Sequence, residues 1–295
     1  MKDQVQRAVL VTGASTGIGE ACALHLDRIG FRVFAGVRRD GDGAALRQHA
    51  SERLTPVLLD VTDGASIAAA AAQIAGSVGA AGLFGLVNNA GVSVAGPLEF
   101  IPLDDFRRQL EVNVTGQLAV TQAMLPLIRA AHGRIVNIGS VSGKLSTPFV
   151  GPYSASKFAM EALSDALRVE LRPWRVPVSL VEPGSIATPI WEKAQAAADE
   201  MVARLPARAH ELYSEAIAAV REMAKKTAAR GIPPERVAAA VAHALTARRP
   251  RTRYPVGVDA RIQAVIAGVV PDGLRDALIA RQMGLPGAPP GGGQG

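Results

Sequence analysis

The stretch Arg7-Ala8-Val9-Leu10-Val11-Thr12, followed at once by Gly13-Ala14-Ser15-Thr16-Gly17-Ile18-Gly19, constrains this chain more than any other. Its first half reads as a short buried strand, and an apolar helical pattern resumes after the last glycine. Glycines between a strand and a helix let backbone N–H groups approach a pyrophosphate held at the positive helix N-terminus. The spacing is Gly-x-x-x-Gly-x-Gly, not Gly-x-Gly-x-x-Gly. Alone, it would suit any tight strand-to-helix connection.

The pattern repeats down the chain. Apolar runs at 8–12, 32–37, 55–59, 83–88, 134–138, 178–182 and 253–256 alternate with helical stretches. That alternation predicts an α/β fold, a Rossmann-type doubly wound parallel sheet of about seven strands. Helices are expected at 17–29, stopped by Gly30, at 103–129, with Pro126 bending or interrupting the last turn, and at 153–171, ended by Pro173. No composition shift divides residues 1–285, so one domain is expected. Residues 188–230 form a long helical insertion, placed to act as a substrate lid. There Leu205, Leu212, Tyr213, Ile217, Val220 and Met223 make an apolar stripe opposite Glu211, Glu215, Arg221 and Lys225. Residues 259–285 carry a further helical pattern broken at Pro271, and the Pro/Gly-rich 286–295 should be disordered.

Composition removes several function classes. A single cysteine, Cys22, excludes an internal disulfide framework and suits a reducing cytoplasm, which is the expected location. His25, His49, His132, His210 and His243 show no ligand spacing and no Cys-x-x-Cys occurs, so no metal site is expected. Residues 67–87 are long enough to span a bilayer. They are mostly Ala and Gly, however, and run into Asn88-Asn89, which predicts a buried helix followed by a strand. The charge is +6, with Arg248, Arg249, Arg251 and Arg253 the densest basic run. Without interleaved aromatics or a DNA-binding motif, this predicts a solvated basic surface and no nucleic-acid partner. Weak attraction to anionic lipid, with peripheral membrane contact through 259–285, is compatible with it.

Tyr153 and Lys157 stand four apart in Tyr153-Ser154-Ala155-Ser156-Lys157, on one face if the segment is helical. An ammonium beside a phenol is expected to favour the phenolate and lower the tyrosine pKa toward neutrality. Ser140, at the end of an apolar run, supplies a hydroxyl to hold a substrate oxygen. The three make a site for moving a proton on and off an alcohol or ketone.

With Thr12 to Gly19, Asp60-Val61, Asn88-Asn89-Ala90-Gly91, Asn113, Ser140, Tyr153-x-x-x-Lys157 and Pro183-Gly184 in this order, the chain resembles the short-chain dehydrogenase/reductase family from about Arg7 to Thr188. Residues 30–38, 170–174 and 181–184 are similar to the 17β-hydroxysteroid and retinol dehydrogenase branch. The resemblance implies Tyr153 as proton donor or acceptor, Ser140 orienting the substrate oxygen, and Lys157 tuning the tyrosine and holding the ribose. It implies an Asn113 carbonyl that carries a water linking Lys157 to solvent. For the cofactor it implies Gly13, Ser15, Thr16, Gly17, Ile18 and Gly19 at the pyrophosphate, and Asp60 with Val61 at the adenine. It further implies Asn89, Ala90 and Gly91 near the ribose, and Pro183, Gly184, Ile186 and Thr188 around the nicotinamide.

The second strand ends Val37-Arg38-Arg39 with no acid before Asp40. An acid there would bind both ribose hydroxyls; arginines suit a 2′-phosphate, so NADP(H) is expected over NAD(H). The expected substrate is a lipophilic alcohol or ketone, steroid- or retinoid-like, and the expected assembly a homo-oligomer, dimer or tetramer. Two other readings use the same residues: a 3-oxoacyl-thioester reductase and an NADP(H)-sensing binding protein.

Overall fold

A computed structural model of the chain describes residues 7–188, 190–283 and 285. Ala8–Val11 (β1) is buried at every position, because it has a strand on each side and helices over both faces. The glycine turn leads into Gly17–Arg28 (α1). Then follow Arg32–Val37 (β2), Asp40–Arg47 (α2), Leu54–Leu58 (β3), Gly64–Val78 (α3) and Gly85–Asn88 (β4). Leu103–Leu110 (α4) and Gly116–Ala130 (α5) precede Arg134–Ile138 (β5), Gly151–Glu170 (α6) and Val178–Pro183 (β6). Ile190–Ala203 (α7), Ala207–Ala229 (α8) and Glu235–Thr246 (α9) lead to Arg253–Val256 (β7), and Val258–Val269 (α10) and Asp272–Met283 (α11) follow.

The seven strands are all parallel, in the order β3-β2-β1-β4-β5-β6-β7. The order reverses between β1 and β4, which opens a crevice beyond their carboxyl ends. Period-two alternation divides the core. Val9, Val11, Val33 and Ala35 meet α1 and α9 on one face, whereas Ala8, Leu10, Phe34 and Leu86 meet α3 and α5 on the other. Cys22 lies inside the first of these clusters, where burial pushes its thiol up to about 12. Each outer strand carries a proline. Leu59 N–H and Arg53 C=O bond inward to β2, so alternation turns Pro56 outward. Likewise Thr252 and Val256 accept from the β6 side, and Pro255 faces away.

Several elements differ from the sequence expectation. The helix expected over 103–129 is two, joined by a π turn at Glu111–Thr115, and Pro126 sits inside α5 without ending it. The helix expected from 153 starts at Gly151, with Pro152 in the first turn, where its missing N–H costs nothing. Of α3, Ile67, Ala70 and Ile74 are buried; its alanines largely face solvent, so it is half-buried, not buried. Gly64–Ala81 is long and apolar enough to cross a membrane by length and composition, and in this fold it lays one apolar stripe on the sheet.

The sequence reading passed over α9, although Val237, Val241, Ala244 and Leu245 are spaced for one face and are buried against α1. Residues 188–230 are helical as expected. Leu205, however, falls before the start of α8, and Leu212 is 47% exposed, so the expected stripe is narrower. The basic run is not all solvated: Arg253 is bound to Glu161 and Asp165 of α6. Residues 259–285 do form two helices, and Val258, Ile262, Val265 and Val269 line an exposed face of α10. The tail expected over 286–295 lies outside the described residues.

Candidate active site

Three glycines make the turn after β1 possible: Gly13, at φ of +63°, would put a Cβ 2.8 Å from Ala90 Cα. Gly17 has φ of +63°, in the left-handed region, and a Cβ on Gly19 would sit 2.1 Å from the Gly13 carbonyl oxygen. The turn is fastened from outside. Thr12 Oγ1 accepts from the N–H groups of Asn89 and Ala90 at 2.9 and 3.0 Å, and Asn89 Nδ2 donates to the Thr12 and Gly13 carbonyls. Thr16 precedes α1 without capping it by its side chain, and Ser15 and Ile18 are half-buried beside it. The opening N–H groups of α1 are therefore available to an anion at the mouth of the crevice. That donor set fits a pyrophosphate.

The Tyr153–Lys157 face is where expected, on the first turns of α6. Ser140 follows β5 and caps the short turn Val141–Gly143, accepting from Ser142 N–H at 3.1 Å. Its hydroxyl is near enough to the Tyr153 phenol to favour the phenolate. Lys157 is 5% exposed; Nζ donates to the Ile138 carbonyl at 2.8 Å and lies 5.6 Å from the Tyr153 ring centre. The electrostatics depart from the sequence expectation. Burial pushes the Tyr153 phenol up, and Ser140 only partly offsets this. Burial also brings Lys157 down to about 8. The ammonium is directed at a carbonyl and is itself desolvated, and burial outweighs any pull it has on the phenol. At neutral pH the phenol holds its proton.

Asn113 sits in the π turn and is fully buried. An asparagine here is stable because every side-chain group is used. Nδ2 donates to Val92 C=O at 3.0 Å and to Ser156 Oγ at 3.1 Å, and Oδ1 accepts from Val92 N–H at 2.8 Å. The widened ladder of a π turn loosens its carbonyls from the helix, the local condition the resemblance requires of Asn113. Sequence reasoning missed its companions. Gln109 bonds Val92 and Val94, and Gln117 donates to Ala90 C=O at 2.7 Å. Three amides four residues apart thus pin the loop after β4. Their spacing, Gln109, Asn113 and Gln117, was the available signal.

The remaining expected residues line the same edge. Arg38 and Arg39 are exposed after β2, whereas Val37 is 2% exposed. Asp60 accepts from Thr62 N–H and Oγ1 at 2.9 and 2.7 Å through one oxygen. These bonds hold its carboxyl low, helped by Arg38 nearby. Asp63, not Asp60, caps α3, so the helix-cap role is taken by another residue. Val61 is buried under Gly116. Asn88 ties β4 to β5 through Asn137 at 2.9 Å. The Asn89 amide hydrogens are engaged by the glycine turn, and its oxygen faces no bond to that turn. Ala90 is half-buried, and Gly91 is exposed, a would-be Cβ there meeting Asn113 Oδ1 first, at 3.4 Å. Pro183 ends β6, Gly184 N–H bonds Val256 C=O, Ile186 is buried in a bridge to Ile232, and Thr188 is half-buried beyond it.

Around Ser140 lies a second layer of charge. Lys144 Nζ is 3.0 Å from Glu182 Oε1 and 3.4 Å from Glu161 Oε2, and Arg253 reaches Glu161 at 2.9 Å. Glu182 is 2% exposed; burial first, and Glu161 next, push its carboxyl up to about 7 against the pull of Lys144. Beside the start of α6, a cleft of about 430 Å³ is lined by Leu98, Thr147, Phe149, Gly151 and, from α11, Ile279 and Ala280. Phe149 of this lining also packs against a small separate core in which α7 and α8 join Val94 and Ile101, with Tyr213 bonded to Glu99 at 2.8 Å.

The sequence profile of the family described as short chain dehydrogenase matches residues 7–199. Mouse retinol dehydrogenase 5 is 41% identical over 277 residues, 92% of this chain and 87% of that protein. Bovine 17-beta-hydroxysteroid dehydrogenase type 6 is 39% identical over 283 residues, 94% and 89% of the two chains. Among solved structures, a short-chain dehydrogenase from Streptomyces avermitilis superposes with a TM-score of 0.75 at 29% identity over 95% of each chain. One from Burkholderia cenocepacia in complex with NADP gives 0.70 at 27%, covering 94% and 98%. Another from Burkholderia phymatum in complex with NAD gives 0.71 at 26%, covering 86% and 90%.

Proposed function

The chain belongs to the short-chain dehydrogenase family and is an oxidoreductase of CH–OH groups, and from that premise we propose that it interconverts a lipophilic alcohol and the corresponding ketone or aldehyde with NADP(H). The observation that carries this reading is the Tyr153 phenol. It keeps its proton, lies within the influence of Ser140, and stands one helical turn from a buried lysine and two residues along α6 from Gly151, which lines a mainly apolar cleft. The nicotinamide, when bound, supplies or accepts the hydride. This chain's residues do the rest. Ser140 orients the substrate oxygen, Tyr153 delivers or removes its proton, and Lys157 and the Asn113 turn serve the proton's exchange with solvent.

Arg38 supports the choice of NADP(H): it is exposed at the end of β2 and close enough to Asp60 to lower that carboxyl, with no acid at Val37. Relatives named for retinol and 17-beta-hydroxysteroid dehydrogenation support a steroid- or retinoid-like substrate. The helices α7 and α8, which share a small core apart from the main one, are suited to act as a lid over the cleft. The test is NADPH oxidation with steroid, retinoid and acyl-thioester carbonyls, run beside Tyr153→Phe. Turnover of a steroid or retinoid carbonyl, falling at least about 100-fold in the variant while NADPH still binds, supports the reading. A variant that keeps most of the rate, or turnover of thioesters alone, overturns it.

A further inference from the structure

The segment from Gly184 to Thr188, where the family resemblance implies the nicotinamide end of the cofactor, is held from three directions. Gly184 N–H bonds Val256 C=O of β7 at 3.0 Å. Ser185 Oγ donates to Thr227 C=O near the end of α8 at 2.7 Å, and Ser185 C=O and Ala187 N–H pair with Ile232. The third hold is a side chain: Ser185 N–H donates to Asp259 Oδ2 at 2.7 Å.

Asp259 has a seat made for it. A Cβ on Gly184 would lie 2.3 Å from both carboxylate oxygens, and one on Gly257 would lie 2.4 Å from Oδ1. The carboxylate thus fills the space that two absent side chains leave. Asp259 is in the first turn of α10, where an acid would ordinarily serve only its own helix. Here it reaches across to a loop far away in sequence. The same helix leads into α11, whose Ile279 and Ala280 line the substrate cleft.

We propose that Asp259 is a positioning residue for the cofactor loop: by accepting the Ser185 N–H it fixes the backbone of residues 184–188 and ties that loop to the C-terminal helix pair beside the substrate. The proposal rests on the reading of this loop as the nicotinamide site. A residue that served only α10 would affect stability, and would not distinguish one end of the cofactor from the other.

The experiment compares the full chain with Asp259→Ala and Asp259→Asn. Calorimetric titration measures affinity for NADP⁺ and for adenosine 2′,5′-bisphosphate, which lacks the nicotinamide. Amide exchange of residues 184–188 is followed without nucleotide, and Tm is recorded for each protein. In Asp259→Ala, exchange at Ser185 should quicken about tenfold and NADP⁺ affinity fall about tenfold, as for loss of a hydrogen bond to a charged group. Bisphosphate affinity should hold. Asp259→Asn still offers an oxygen to the Ser185 N–H and should recover most of both losses. Equal losses for the two nucleotides, unchanged loop exchange, or an Asn variant as weak as the Ala variant would overturn the assignment. Should Asp259→Ala fail to fold, Gly184→Ala, whose methyl meets the carboxylate, is read by the same criteria. A wild-type preference for NAD⁺ would count against the cofactor choice alone. The comparison would then use NAD⁺ and ADP-ribose, and it would decide Asp259 in the same way.

Discussion

Lys157→Met exchanges a buried ammonium for an apolar chain of similar length, and the structure sets what that does to stability and to its pH dependence. Burial lowers Lys157 from 10.5 to about 8, equivalent to about 3 kcal/mol against folding at neutral pH. Against this gain for the variant, the Ile138 carbonyl loses the donor 2.8 Å away, a cost of about 1–3 kcal/mol. The net change at pH 7 is therefore small, and pH separates the two effects. The unfolded lysine keeps its proton to about 10.5, whereas the folded one releases it near 8. Between those values the unfolded state binds more protons, so wild-type stability rises with pH; below 8 the penalty is fully present. Urea unfolding of both proteins at pH 7 and pH 10 should show the variant losing roughly 2–3 kcal/mol relative to wild type over that interval. Groups that titrate identically in both proteins cancel in the comparison. Turnover should be lost at either pH. A stability difference that stays flat with pH would mean that Lys157 carries no desolvation penalty, and the argument for its tuned pKa would fall.

Arg38→Leu should reduce kcat/KM for NADPH about 10–100-fold and leave NADH nearly unchanged, because an exposed guanidinium is lost without burying a charge. An unchanged cofactor ratio would place the phosphate site elsewhere. It is a cleaner test than an acid at Val37, which is buried. Glu182→Gln mimics the protonated acid. The folded pKa of about 7 exceeds the unfolded 4.5, so wild-type stability from this group is present below 4.5 and lost as pH rises through 7. Tm of the variant should exceed wild type at pH 8 and converge with it toward pH 4.5; a constant offset would show that Glu182 does not titrate there. Hydrogen exchange with NADP⁺ bound should find fast amides in α7 and α8 that slow when a lipophilic ligand is added. Uniform protection in both states would make this segment plain scaffold.

Much of the fold was legible because a buried parallel strand leaves a continuous apolar run. Residues 32–37, 134–138 and 253–256 were bounded correctly on that signal alone. The π turn was not legible, since Glu111 to Thr115 keeps a helical pattern and the distortion is imposed by the amides that bind the loop across from it. The positions of Ser140, Tyr153 and Lys157 followed from spacing. The protonation argument did not, because the pKa of a phenol depends on how dry its surroundings are, and burial here acts against the neighbouring charge. The part Asn89 plays in fastening the glycine turn was not legible either, because only the folded turn brings its amide to the Thr12 and Gly13 carbonyls. Asp259 was invisible for the same reason: its partner is 74 residues away.

The prolines at the two outer strands have a consequence for how copies of this molecule can meet. Pro56 and Pro255 each remove the outward N–H that a strand from another chain would need, and each ring projects where that strand would lie. Neither end of the sheet can therefore template its own extension, in the crowded cell or in a concentrated preparation. Self-association must run through helical faces, whose side chains stop growth at a closed particle where their geometry is self-complementary. Parallel sheets such as this seven-stranded one pair strands far apart in sequence, a topology that slows folding and lengthens the exposure of edges. In this one the exposed edges are already unfit for fibre growth.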